Sequence, residues 1–199
     1  VLLVLGAGGH ARPVIEALRA MGLAVAGLLD DAARAPVLGV PILGKLDSLG
    51  AQGASAAVIA IGDNAMRARL GAACQARGLA LPAVIHPTAL ISPSARIGAG
   101  VQVMARAVIG PEATLGDFAL VNTGAIVEHE CTLGPATHLG PGAVLCGGVA
   151  VGARALLGAG AVVRAGCRIG AEAVIGAGAA VTQDVAEGAR MGGVPARPI

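Results

Sequence analysis

The sequence lacks tryptophan and tyrosine, and Phe118 is its one phenylalanine in 199 residues. Without aromatic platforms on which bases could stack, and with a net charge of only +2 and no basic stripe, nucleic-acid binding is not expected. Long apolar runs are also missing. Arg154 and Arg164 interrupt the most apolar region, so no membrane span is expected. The opening "VLLVLGAGGHARP" reaches glycine too soon to read as a secretory leader. Cysteine pairs at C-x-x-C spacing are absent. Cys74, Cys131, Cys146 and Cys167 therefore read as free, buried thiols in a reducing, cytoplasmic setting.

What the chain has is 32 glycines and a surplus of small aliphatics. A wide core built without aromatics would be unusual; a narrow, repetitive one would not. Residues 1–82 alternate strand and helix patterns. "VLLVL" reads as a buried strand, "GAGGHA" as a turn, and "RPVIEALRAMG" as a helix closing on Gly22. "LAVAGLLDD" reads as a second strand, "SAAVIAIGD" as a third, and "NAMRARLGAACQARG" as a helix capped by Asp63 or Asn64. This predicts a half-Rossmann-like parallel α/β unit, with ligands at the carboxyl ends of its strands.

From Ala83 the period becomes six. Eighteen hexads, from AVIHPT to VAEGAR, run to Arg190 without an insertion. The third position is Ile, Leu or Val in all but the last, the first is small, and the fourth is Gly in ten. That pattern predicts a parallel β-helix over 83–199, three hexads to each triangular coil. Third-position aliphatics point inward, and the glycines are expected to relieve strain at the corners.

The array resembles the left-handed β-helix acyltransferases of the hexapeptide-repeat superfamily, including their closing "GGVPARP". The α/β unit with "GAGGHA" and "IGDN…R", then "VIHPTALISPSARIG" and "NTGAIVEHE", resembles the sugar O/N-acyltransferases of the sialic-acid, bacillosamine and perosamine type. "NTGAIVEHE" is slightly nearer the perosamine branch. The resemblance implies acetyl-CoA as co-substrate, a nucleotide-linked amino sugar as acceptor, and a homotrimer with active sites between neighbouring β-helices. It implies N-acetyl transfer to a 4-amino-dideoxy sugar. A sialic acid O-acetyltransferase and a non-catalytic nucleotide-sugar-binding scaffold are the alternatives.

Acetyl transfer from a thioester needs a base, oxyanion stabilisation and alignment. "AIVEHE" puts His129 at an outward corner with Glu128 and Glu130 on either side, and imidazole suits the base near neutral pH. A neighbouring carboxylate raises its basicity. The resemblance assigns His129 as the base and Glu130 as its support; Glu128 reads as a solvated corner charge. One coil later, eighteen residues on, falls Gly147, whose backbone N–H is a candidate oxyanion donor. His138 lies half a coil from His129, so the two cannot share a face of one chain. The resemblance puts His138, Gly147, Ala159 and Ala177 on acetyl-CoA. The family has a bulkier residue at the place of Ala159 and Gly at that of Ala177. His86 reads as a turn histidine. No metal site is expected, because His86, His129 and His138 lack the close-spaced pair that a zinc site of this fold uses.

"GAGGHA" satisfies G-x-G-x-x-A, and Asp30 and Asp31 follow at dinucleotide spacing. One βαβ half suits one nucleotide, not NAD. The resemblance agrees, giving Gly8, Gly9, His10, Asp30, Asp31 and Gly62 to a nucleotide sugar. His10 could simply cap the helix start, but a substrate contact is the favoured reading.

Overall fold

The computed structural model describes residues 1–32 and 35–199. Its N-terminal unit begins with β1 (Leu2–Leu5), α1 (Ala11–Ala20), β2 (Gly27–Leu29) and β3 (Ile42–Gly44). A 3-10 turn (Leu46–Gln52), β4 (Ala56–Ile59) and α2 (Asn64–Ala76) complete it. The four strands form one parallel sheet in the order β3-β2-β1-β4. Alternation along β1 explains the layering: Val4 packs with Val14, Ile15 and Leu18 of α1, while Leu3 and Leu5 face Cys74 of α2. Gly22, at φ +74°, ends the first helix as expected. Of the two candidate caps for α2, Asp63 is the one used; its carboxylate accepts the Met66 N–H at 2.7 Å. Two expectations need correcting. The second strand is only Gly27–Leu29, and the short edge strand β3 intervenes before "SAAVIAIGD". An edge strand of three residues carries too little periodicity to be read from sequence.

The second unit is a left-handed, three-sided β-helix. Each of the first seventeen hexads contributes a two-residue strand from its second and third positions, paired in parallel with strands eighteen residues away, as Ile126–Val127 pairs with Val144–Leu145. The first face climbs from Val84–Ile85 to Val174–Ile175, the second from Leu90–Ile91 to Ala180–Val181, and the third from Arg96–Ile97 to Arg168–Ile169. First- and third-position side chains fill the interior, among them Ala107, Ile109, Ala125, Val127, Cys131 and Leu133. Ile85, Ile91 and Ile97, in the bottom coil, are only partly buried.

The corners meet the expectation only at one position. The left-handed conformation falls at the sixth hexad position, where glycines such as Gly124, Gly148 and Gly166 relieve the strain, but Arg106, Glu112, Phe118, Glu130, Ala136, Arg154 and Glu172 adopt it as well, with φ between 54° and 61°. Fourth-position glycines serve close approach between coils instead. A Cβ on Gly110 would lie 2.8 Å from the Glu128 carbonyl carbon and the His129 nitrogen. The array also shortens at its top. Val185, not Glu187, sits inside above Ile169, sixteen residues behind it, and the Gly176 N–H meets Met191. That two-residue deletion explains why the last hexad breaks the aliphatic rule.

The α/β unit docks on the lower part of the first face. Phe118 is pressed against Gly71 of α2, where a Cβ would come within 2.5 Å of its ring. Arg67 of α2 is fully buried. Its guanidinium donates to the carbonyls of Ile61 and Gly62 in its own unit and to those of Phe118 and Ala136 in the β-helix, at 2.9–3.0 Å. Burial pushes its pKa down to about 10, against the opposing pull of Asp63, so it stays charged at neutral pH. No helix among the described residues is long and apolar enough to cross a membrane.

Candidate active site

His129 and Glu130 occupy the edge between the second and third faces, following the strand Ile126–Val127. The His129 Nδ1 and a Glu130 carboxylate oxygen are 2.9 Å apart. Since the carboxylate can only accept, Nδ1 donates, and in the neutral ring Nε2 carries the lone pair. That lone pair faces Gly147 one coil above: a Cβ there would come within 2.3 Å of Nε2. The Gly147 N–H donates to no described residue, while its carbonyl accepts from Gly166 and the Gly148 N–H bonds the His129 carbonyl. The edge thus combines a carboxylate-supported imidazole with a bare backbone N–H. The side chains of His129 and Glu130 are 57% and 64% exposed. Glu128 is exposed as well. The left-handed φ of Glu130 is no signal of function, because Glu112 and Glu172 share it.

The other expected cofactor residues lie elsewhere on the chain. Ala159 and Ala177 are exposed and stack in consecutive coils at the edge between the first and second faces. His138 projects from the first face, where it lines a cavity of about 500 Å³ with Gly62, Asp63, Asn64, Leu156 and Val174. Burial, then the charges of Arg67 and of His10 if protonated, hold its pKa down at about 4, so it is neutral at pH 7. His86 is engaged locally with Thr88 at 2.9 Å. Among the described residues, no group of three or more His, Cys, Asp or Glu could hold a metal ion.

The glycine turn opens a second cavity of about 420 Å³, lined by Gly8, Gly9, His10, Asp30 and Gly62 among others. A Cβ at Gly8, Gly9 or Gly62 would touch nothing within 4 Å, so a ligand can reach this backbone. Asp30 braces the turn, accepting from the N–H groups of Ala7 and Ala32 at 2.8 Å. Asp31 turns away, accepting from the Leu46 N–H and bordering a neighbouring cavity that Lys45, Arg69 and Arg77 also line. His10 occupies the N-cap position of α1, but its side chain makes no capping bond and reaches Gln102 of the β-helix instead. Gln102 and the Arg67 clamp were not assigned any role from sequence. With His138, Gln102 is nevertheless one of two polar residues in the outward row of the first face, among Val84, Leu120, Leu156 and Val174.

Stacked hexads carrying a histidine at a free edge define a transferase of the hexapeptide-repeat class, and the comparisons with known proteins agree. Residues 1–72 match the family model described as the PglD N-terminal domain. Residues 130–165 and 148–183 match that of the bacterial transferase hexapeptide (six repeats). The chain belongs to the hexapeptide-repeat sugar acyltransferases of the sialic-acid, bacillosamine and perosamine type. PerB from Caulobacter crescentus, solved with CoA and GDP-perosamine, is 47% identical, with a TM-score of 0.95 over 100% of this chain and 96% of that one. The acetyltransferase domain of PglB from Neisseria gonorrhoeae, solved with acetyl coenzyme A, is 37% identical, with a TM-score of 0.95 over 100% and 98%. WeeI from Acinetobacter baumannii is 27% identical, with a TM-score of 0.85 over 100% and 99%. A search of curated proteins found no match.

Proposed function

We propose that this protein is an acetyl-CoA-dependent N-acetyltransferase acting on the amino group of a nucleotide-linked 4-amino-dideoxy sugar. The observation that carries the proposal is the edge itself, where His129 Nε2 lies against the side-chain-free Cα of Gly147, whose N–H is bare, with Glu130 on the far ring nitrogen. The 47% identity to a structure holding CoA and GDP-perosamine supports the substrate class, and a GDP-linked sugar over a UDP-linked one.

In this reading the sugar amine attacks the thioester carbonyl carbon, and the carbonyl electron pair moves onto oxygen beside the Gly147 N–H. His129 Nε2 takes a proton from the amine nitrogen, and Glu130 steadies the resulting imidazolium. Collapse re-forms the carbonyl, breaks the carbon–sulfur bond and expels CoA thiolate, which recovers the proton from His129. Residues 1–82 hold the nucleotide sugar through Gly8, Gly9, His10, Asp30 and Gly62, while Asp31 could meet it only from the neighbouring cavity. Residues 83–199 carry the CoA path past His138, Ala159 and Ala177.

The edges bearing Ala159 and His129 flank the second face, whose outward residues Leu90, Val108, Ile126, Val144 and Val162 are all aliphatic. Leu90 and Val162 are 68% and 42% exposed. An apolar face between the two half-sites supports a homotrimer in which neighbouring chains complete each site. Four free thiols support a reducing, cytoplasmic setting.

The test is acetyl-CoA turnover with GDP-perosamine, a UDP-linked 4-amino sugar and sialic acid, for wild type and His129→Ala. The expectation is amide formation on a nucleotide-linked amine and a loss of roughly 10²–10⁴-fold in kcat on removal of the base. An unchanged rate in the variant removes this mechanism, and wild-type inactivity on all acceptors favours a binding scaffold.

A further inference from the structure

Gln102 is 1% exposed, on the β-helix face beneath the α/β unit. Its amide nitrogen lies 2.7 Å from the carbonyl oxygen of Ile59, at the end of β4. A carbonyl oxygen only accepts, so the NH₂ end of the amide must point there. The amide oxygen is then left facing His10 Nε2, at 2.8 Å. An amide oxygen also only accepts, so His10 must donate from Nε2. The direction of each bond follows from the one before it, and the chain begins at a backbone group whose polarity is fixed.

We propose that Gln102 is a positioning residue that locks His10 in the Nε2–H tautomer, so that His10 meets its ligand through Nδ1 as a hydrogen-bond acceptor. The consequence is chemical. A diphosphate carries only acceptors at neutral pH, so His10 in this state repels it and selects a donor, a ribose or sugar hydroxyl or an amine N–H. The diphosphate is left to the open backbone of Gly8 and Gly9 at the start of α1. The groups bearing on His10 agree with a neutral ring. Burial lowers its pKa, the Gln102 bond opposes, and the Arg67 charge lowers it further. His138 is a further, weaker neighbour, itself neutral at pH 7, and Asp30 and Asp63 line the same cavity.

The ligand half of this inference rests on the nucleotide-sugar reading; the tautomer half does not. Long-range ¹⁵N–¹H spectra of the ligand-free protein labelled at histidine, with His10 identified by its loss in His10→Gln, read the tautomer directly. The expected result is protonated Nε2 and bare Nδ1 at pH 7. An Nδ1–H tautomer or an imidazolium overturns the proposal whatever the enzyme turns over. In Gln102→Met the lock is gone, and the spectrum should move to mixed tautomers. KM for the nucleotide sugar should rise roughly tenfold, with kcat and the KM for acetyl-CoA little changed. Gln102→Glu keeps an acceptor on Nε2 but favours imidazolium, so its KM for the sugar should worsen from pH 8 to pH 6 more than in wild type. A merely structural Gln102 would lower stability in both variants and leave the wild-type tautomer unfixed. Retention of one tautomer and an unchanged KM in Gln102→Met overturns the proposal.

Discussion

A single missing side chain, at Gly147, makes room for the candidate base. Gly147 lies outside the left-handed region, so alanine there costs no conformational strain, and the three atoms nearest its Cβ would all belong to the His129 ring. That ring is half in solvent and can swing away. Gly147→Ala is therefore expected to melt within a degree or two of wild type while losing roughly 100-fold in kcat, because a displacement of about 1 Å at the reacting groups suffices. Steady-state kinetics beside a thermal melt check it; a stable variant with wild-type kcat would show that His129 need not stand where it does. This pair was legible before any coordinates, because a period of six in three-sided coils fixes residue i above i+18. The His10–Gln102 bond was not. It joins residues 92 apart across two units of different periodicity, and no single pattern spans both.

The repeat is just as legible at the scale of the β-helix, but the reason for its glycines is not. Sequence shows that the fourth position prefers Gly; only the stack shows that the preference answers the coil above rather than a strained corner. Gly110 illustrates the difference. Its missing Cβ is replaced by the peptide joining Glu128 to His129, and backbone cannot rotate aside as the His129 ring can. Gly110→Ala is expected to destabilise the protein by about 1–3 kcal/mol through overpacking. It should also lower kcat by lifting the strand end that carries the base. Urea unfolding and kinetics together test this. Substitution at Glu112, two positions on and already in the left-handed region, serves as the control: Glu112→Gly should neither destabilise appreciably nor slow turnover.

At the scale of the whole molecule, function depends on how the two units meet and, in the trimer reading, on how copies meet. His138 sits where the α/β unit closes over the first face, with a pKa held at about 4 chiefly by burial. The unfolded chain binds that proton near pH 6.5, so between pH 6.5 and about 4 the unfolded state holds more protons than the folded one. Stability is full above pH 6.5 and is expected to fall with pH through this window, by up to about 3 kcal/mol from His138. His10 shifts in the same direction. His138→Gln should flatten the pH dependence of urea midpoints measured from pH 7 to 4.5, and an equally steep variant would place the titrating group elsewhere. Contact between copies is a separate matter. The third face is outwardly polar, with Arg96, Thr114, Thr132 and Arg168, whereas the second presents an unbroken aliphatic ladder between the edge of His129 and the edge of Ala159 and Ala177. If a neighbouring chain covers that ladder, a charge at its centre should separate the chains without unfolding them, because the inward residues are untouched. Val144→Lys is expected to keep the wild-type circular dichroism and to run as a single 19.1 kDa chain in light scattering, against the three chains expected of the proposed wild-type trimer. It should also lose activity, since half of each site then has no partner. A monomeric variant that still acetylates at the wild-type rate would mean that one chain holds the complete site, and that the ladder serves something other than catalysis.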